Sequence, residues 1–257
     1  FSSIRQFNDT VREVFALTPT QLRVARRPAS GRHEPASGQS GAAGTISLRM
    51  PFRRPLDARG LFEFLALRAV PGVEAGSSFG YRRTVGLSHG AGVLEFGDPE
   101  TAIDPTETWN TQGWIPCKLR LSDLRDLSAA VSRSRRLLDL DADAPAIDEL
   151  LGNDAVLGAI VATSPGRRVP GHVDGFELAM RAVLGQQVSV SGARTLGARL
   201  TLAYGEPLPI PDPCLTHVFP TAAAISDADP LSLPLTRSRA VALVTMASAI
   251  VEGDVDL

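Results

Sequence analysis

The sequence predicts an α+β protein, a small unit of antiparallel strands with one helix followed by a nearly all-helical half. Three observations carry this: apolar alternation between residues 45 and 121, stripes of helical period after Leu121, and a block with neither pattern ahead of residue 45. In Thr45–Met50, Ile46, Leu48 and Met50 alternate with Ser47 and Arg49, as a strand with one buried face requires. Asp57 can cap a helix carrying Leu61, Phe64, Leu65 and Arg68. Tyr81–Leu87 and Val93–Phe96 flank the glycine-containing stretch Ser88–Gly92 and read as a hairpin, and Ile115–Leu121 supplies a further strand.

After Leu121 the period changes. Ser122–Leu140 carries Leu124, Leu127, Val131, Leu137 and Leu138; Asp174–Leu184 carries Phe176, Met180, Val183 and Leu184. Val190–Tyr204 carries Leu196, Leu200 and Tyr204 and stops at Gly205; Thr236–Val251 carries Ala240, Leu243, Val244, Ala247 and Ile250 and ends at Gly253. Asp174 with Glu177 three residues on resembles a capping box. At the other end, Ile4, Phe7, Val11 and Val14 or Phe15 form an amphipathic stripe that Thr18-Pro19-Thr20 breaks. Residues 24–44 are Ala, Ser, Gly and Pro with a few charges, the composition of a flexible linker. The expected organisation is therefore 1–25, 26–44 as linker, 45–121 and 122–257.

Composition excludes several classes. The 257 residues carry 26 basic and 28 acidic side chains, a net charge of −2, which argues against holding nucleic acid by bulk electrostatics. The charge is uneven, however: residues 1–33 have six arginines against two acids, a net of +4, and the remainder, with 20 basic and 26 acidic residues, carries −6. No apolar run approaches the roughly 18–20 residues of a membrane span, and the first residues do not read as a signal peptide, so a cytoplasmic protein is expected. Cys117 and Cys214 lie far apart, and the four histidines, His33, His89, His172 and His217, do not cluster; neither a disulfide framework nor a metal site is indicated. No P-loop, GxGxxG or Ser/His/Asp arrangement is present. The acid pairs Asp141/Asp143 and Asp227/Asp229 adjoin proline-containing turns, where Asp caps helices and forms turns.

The informative stretch is Pro170–Val190, PGHVDGFELAMRAVLGQQVSV, a capped amphipathic helix with a Gly-Gln-Gln break that opens the next helix. It resembles the matching segment of the 3-methyladenine DNA glycosylase II family, within the helix-hairpin-helix glycosylase superfamily. Pro170, Gly171, Asp174, Phe176, Glu177, Arg181, Ala182, Gly185, Gln186, Val188 and Ser189 carry the match. Residues 45–121 are similar to that family's small TBP-like N-terminal domain, with Phe64-Leu65-Ala66-Leu67-Arg68-Ala69-Val70 the best local match, and Leu235–Gly253 to the helix preceding its hairpin. The resemblance implies a small TBP-like antiparallel α/β domain followed by an all-α helix-hairpin-helix glycosylase domain. The implied activity is hydrolysis of the N-glycosidic bond of alkylated bases by base flipping, with no cofactor for that step. Gln187 is then the wedge that fills the vacated stack, with Gly185 and Ser189 on the DNA-binding bend, and Phe64 and Gln186 line the base pocket.

In the family, an LPGIG-like hairpin and the catalytic aspartate follow the last helix seen here. No LPGxG occurs in this sequence, so the expectation is an incomplete helical domain, truncated, with no catalytic residue in this chain. Phe1-Ser2-Ser3-Ile4-Arg5-Gln6-Phe7 through Arg23 resembles the end of an AraC-type helix-turn-helix domain, which implies that Ser2, Ser3, Arg5 and Gln6 meet promoter DNA. An AraC-type domain ahead of an alkylation glycosylase resembles Ada-type bifunctional regulators, in which zinc belongs to a domain upstream of residue 1. The implied partners are double-stranded DNA containing alkylated bases and promoter DNA, with no membrane, and the expected state is a monomer. The alternative is an AraC-type regulator whose glycosylase-like half is a non-catalytic DNA- or damage-binding module.

Overall fold

The structure, a computed structural model, describes residues 45–99 and 112–257. The expected N-terminal helix and linker, with Ser2, Ser3, Arg5 and Gln6, lie outside the described residues.

Five strands, β1 (Thr45–Arg53), β2 (Glu74–Ser77), β3 (Gly80–Leu87), β4 (Gly90–Gly97) and β5 (Gln112–Leu121), form one antiparallel sheet in the order β1-β5-β4-β3-β2. Helix α1 (Ala58–Arg68) follows β1, and the Asp57 carboxylate accepts from the Gly60 amide at 2.9 Å, as its capping role requires. The helix buries Ala58, Leu61 and Phe62 and leaves Phe64 outside. Three features differ from the sequence reading. β1 continues through Pro51 to Arg53, because β5 pairs with it along its whole length. The β3–β4 turn tightens to Ser88 and His89. Strand β2 has no apolar alternation; β3 supplies its partner, and context overrides propensity.

Beyond β5 the described elements are helical: a 3₁₀ turn (Leu124–Asp126), α2 (Leu127–Leu137), α3 (Ala144–Gly152), α4 (Leu157–Thr163), α5 (Gly175–Gly185), α6 (Val190–Tyr204), α7 (Ala222–Ser226) and α8 (Arg237–Glu252). The Asp123 carboxylate accepts from the Arg125 amide at 2.8 Å, so the chain after β5 opens as a 3₁₀ turn and Leu124 stays exposed. Asp174 accepts from the Glu177 amide at 2.9 Å, and Gly253 closes α8 at φ +82°, a left-handed cap. Helices α3, α4 and α7, unforeseen in the sequence, are short. The apolar residues Ile147, Leu150, Leu157 and Ile160 of α3 and α4 are exposed, so no core-facing stripe marks them.

Two cores result. The sheet packs Leu48, Phe52, Leu94, Phe96, Ile115 and Leu119 against Leu61 and Phe62 of α1 and against Ala130, Leu137, Leu138 and Leu140 in and after α2, so this core draws on residues on both sides of Leu121. The second core joins Val70 and Val73 to Phe176, Met180 and Leu184 of α5, Leu200 of α6, and Ala240, Leu243 and Ala247 of α8.

Between the cores lies a buried ionic network. From the sheet edge come Glu74, Tyr81 and Arg83; from α5 come Glu177 and Arg181, one turn apart. Arg83 donates to both Glu177 oxygens at 2.6 and 2.8 Å and to Glu74 at 3.3 Å; Arg181 donates to Glu74 and Glu177 at 2.7 and 2.8 Å. Glu74 also accepts from the Tyr81 hydroxyl and from the Val70 amide. Two carboxylates and two guanidiniums cancel in charge, and the Glu74, Arg83 and Glu177 side chains are 5%, 4% and 7% exposed. Burial by itself would raise the Glu74 carboxyl, but Arg181 and then Arg83 outweigh it and hold it below its ordinary value; Arg83 and Arg181 are raised because their carboxylate partners outweigh burial.

Removing one partner leaves a buried charge uncompensated. Glu177→Ala is expected to destabilise the protein by about 3–5 kcal/mol, read from the shift in denaturant midpoint at constant slope. Because the Glu74 carboxyl is depressed in the folded state, its contribution is fully present above its ordinary value of 4.5 and is lost as pH falls through the lower folded value. Stability measured against pH should therefore fall less steeply in acid for Glu74→Gln than for the unsubstituted protein.

Candidate nucleic-acid interface

Helix α5 stops at Gly185 because Gln186 turns extended, at φ −65° and ψ 127°, and Gln187 then takes the left-handed conformation at φ +55°. Only glycine adopts that region without cost, so a glutamine there is locally strained. Ser189 starts α6: its hydroxyl accepts from the Gly192 amide at 3.1 Å and pairs with the Ser191 hydroxyl at 2.9 Å. Gln186 through Ser189 are all exposed, while Leu184 beneath them is buried. From the first turn of α8, the Arg239 guanidinium donates to the Gln186 carbonyl. At Gly185 an added Cβ would meet nothing within 4 Å, so the outer side of the bend is open.

Beside the bend lies a cavity of about 230 Å³. Arg68 and Val70 come from the end of α1, Arg181, Leu184 and Gly185 from α5, Val188 to Val190 from the bend, and Ala193, Arg194 and Gly197 from α6. Gly197 permits the close approach of α6, since a Cβ there would sit 3.1 Å from a Val70 methyl. The charged residues of the lining are three arginines, and they are held differently. Arg181 belongs to the buried network and also lies 5.2 Å from the centre of the Phe219 ring. Arg194 donates to the Ala69 carbonyl at 2.7 Å. Arg68 donates to the Phe64 carbonyl at 3.3 Å and lays its guanidinium 3.6 Å from the centre of the Phe64 ring. Neither Arg68 nor Arg194 makes an ion pair among the described residues, so this mouth is electropositive although the chain is not.

Of the residues singled out by sequence, Gly185 and Ser189 line the cavity, and Gln186 and Gln187 stand on the bend at its edge. Phe64 is 43% exposed on the outer face of α1 and reaches the cavity only through Arg68, which covers its ring. Sequence reasoning missed Arg68, Arg194 and Val190 in the lining and Glu74, Tyr81 and Arg83 behind it. Arg68 lies within the Phe64–Val70 match and Val190 ends the Pro170–Val190 stretch, so both could have been found there; Arg194, Glu74, Tyr81 and Arg83 are joined to the site by contacts distant in sequence.

The strain at Gln187 generates a stability prediction. Gln187→Gly should raise the unfolding free energy by about 0.5–1 kcal/mol, read as a higher thermal midpoint, because glycine adopts the left-handed region without penalty. A lower midpoint would show that the Gln187 side chain itself holds the turn.

Residues 47–174 match the family described as the AlkA N-terminal domain. The chain is 45% identical over 243 residues to a Mycobacterium tuberculosis protein named "Probable bifunctional transcriptional activator/DNA repair enzyme AlkA", covering 94% of this chain and 45% of that protein. It is 33% identical over 205 residues to the Escherichia coli K12 "DNA-3-methyladenine glycosylase 2", covering 77% of this chain and 65% of that one. The chain thus spans about half the length of the first of these relatives and two thirds of the second at most. Among solved structures, a 3-methyladenine DNA glycosylase from Archaeoglobus fulgidus superposes with a TM-score of 0.63 at 20% identity, covering 77% of this chain and 65% of that one, a likeness of fold. Residues 47–174 thus carry an AlkA N-terminal domain, and the chain is homologous to these two relatives over most of its own length.

Proposed function

We propose that this chain is part of a bifunctional transcriptional activator and DNA repair enzyme, and that it serves a glycosylase that hydrolyses the N-glycosidic bond of alkylated, 3-methyladenine-type bases in duplex DNA. The observation that carries this is Gln187: a non-glycine residue in a left-handed conformation, at the tip of an exposed bend between two anchored helices, beside an electropositive cavity. Strain kept at an exposed tip points to a task for the projecting side chain rather than to packing. A wedge that replaces a flipped base must project clear of both helices, and flipping costs a few kcal/mol that the inserted side chain and the base pocket offset.

The chemistry follows from the substrate. Alkylation at a purine ring nitrogen leaves the base cationic and a good leaving group, so the enzyme's tasks are to extrude the base, hold it, and stabilise the oxocarbenium-like sugar or orient water with a carboxylate. That step needs no metal or redox cofactor, and we assign no catalytic residue among those described. Arg68 and Arg194 at the mouth suit the DNA backbone. In this reading the sheet unit, 45–121, is the TBP-like domain, 122–257 belongs to the helix-hairpin-helix domain, and 1–25 ends an AraC-type domain joined by the 26–44 linker. Ser2, Ser3, Arg5 and Gln6 meet promoter DNA, and zinc is confined to an Ada-type domain upstream. Among the described residues no helix is long and apolar enough to cross a membrane; we place the protein in the cytoplasm as a monomer.

A second reading is a regulator whose glycosylase-like half binds DNA without catalysis, a role for which the exposed bend and the arginines at the cavity mouth would suffice. One experiment separates the two. The whole protein carrying this sequence is incubated with methylated duplex DNA and released bases are separated chromatographically. Release of 3-methyladenine, reduced about tenfold by Gln187→Ala, is expected; binding of methylated DNA without release would establish the second reading, and neither binding nor release would overturn both.

A further inference from the structure

The three arginines at the cavity are not equivalent. Arg181 is locked by two buried carboxylates and Arg194 by a backbone carbonyl at 2.7 Å, whereas Arg68 has no carboxylate among the described residues and only a 3.3 Å bond to the carbonyl of Phe64, one turn behind it. Its planar, delocalised cation lies flat against an exposed aromatic ring, 3.6 Å from the centroid, while its side chain also lines the cavity beside the bend. A guanidinium stacks on an aromatic face by the same ring electrostatics that would attract a planar cationic base.

We propose that Arg68 is a resident occupant of the Phe64 face, which an extruded base must displace before it can stack there, and that Arg68 thereby tempers the affinity of the site for cationic bases. This rests on the glycosylase reading given above. The competition has a simple form: while Arg68 sits on the ring, the stacking-competent fraction of the protein is reduced, and the apparent affinity of any ligand using that face falls by the same factor. An exposed stack of this kind is displaced at a cost equivalent to about a two- to fivefold change in affinity. Removing the guanidinium also removes a positive charge from beside the incoming cation, so a cationic base should gain more than a neutral one.

The test uses the full chain and, as probe, 1-methyladenosine, which is cationic at neutral pH, with adenosine as its neutral counterpart; binding is followed by NMR through the Phe64 ring and Arg68 side-chain resonances. The expected result is that Arg68→Ala binds 1-methyladenosine about two- to fivefold more tightly than the unsubstituted chain, with a smaller gain for adenosine. In the unsubstituted chain, saturation should move the Arg68 resonances toward those of a solvent-exposed arginine. Phe64→Leu should abolish the difference. Unchanged or weaker binding by Arg68→Ala would overturn the proposal, as would an Arg68 signal indifferent to the probe. If the whole protein releases 3-methyladenine while none of these variants binds the probe, the inference falls and the glycosylase reading stands. If 3-methyladenine is not released either, both fall together.

Discussion

The ionic network of buried Glu74, Arg83 and Glu177 with the half-buried Arg181 is the constraint on which the rest of the site depends. Helix α5 carries both of its contributions on one face, four residues apart, and both are claimed by the edge of the sheet. Its direction is therefore set by the geometry of guanidinium and carboxylate planes, which tolerate little rotation, and not by apolar contact alone, which tolerates more. The value of such a network lies in specifying one arrangement: apolar replacements could be as stable, but they would not fix which way the end of α5 points. That end is the bend.

Once α5 is held, the strain at Gln187 can persist. On one side Met180 and Leu184 anchor α5 in the helical core; on the other, the Ser189 cap, the buried Leu200 and the close approach at Gly197 anchor α6. The four residues between must span a fixed gap, and a left-handed glutamine is the local cost of doing so. Because the bend is exposed, its side chains do not repay that cost by packing. The anchored helices do, which keeps the bend in one shape and leaves its outer face free to meet another molecule.

Electrostatics at the site are local, not global. The chain carries −2 overall, yet the cavity mouth presents Arg68 and Arg194 without acidic partners among the described residues, while Arg181 beside them is neutralised from behind. Net charge therefore says little about whether this face suits a polyanion. What matters is which cations are matched internally, and that is a property of the folded arrangement.

Much of this was legible in the residues. The helices that build the bend were readable to within a residue or two from Asp174 with Glu177, from the stripes of Met180, Leu184 and Leu200, and from the stop at Gly205, because caps and helical periods are set by neighbours in the chain. The Pro170–Val190 pattern likewise marked the bend as the place to look. Strand β2 was not legible, since Glu74-Ala75-Gly76-Ser77 pairs only because β3 offers an edge, and the exposed α3 and α4 carry no buried stripe to betray them. Local patterning thus determined the elements and where they break. Tertiary structure alone decided that Glu74 meets Arg181 across more than a hundred residues and that Arg68 rather than the Phe64 ring faces the cavity, because partner choice among like-charged and like-shaped side chains depends on distances that only the folded chain sets.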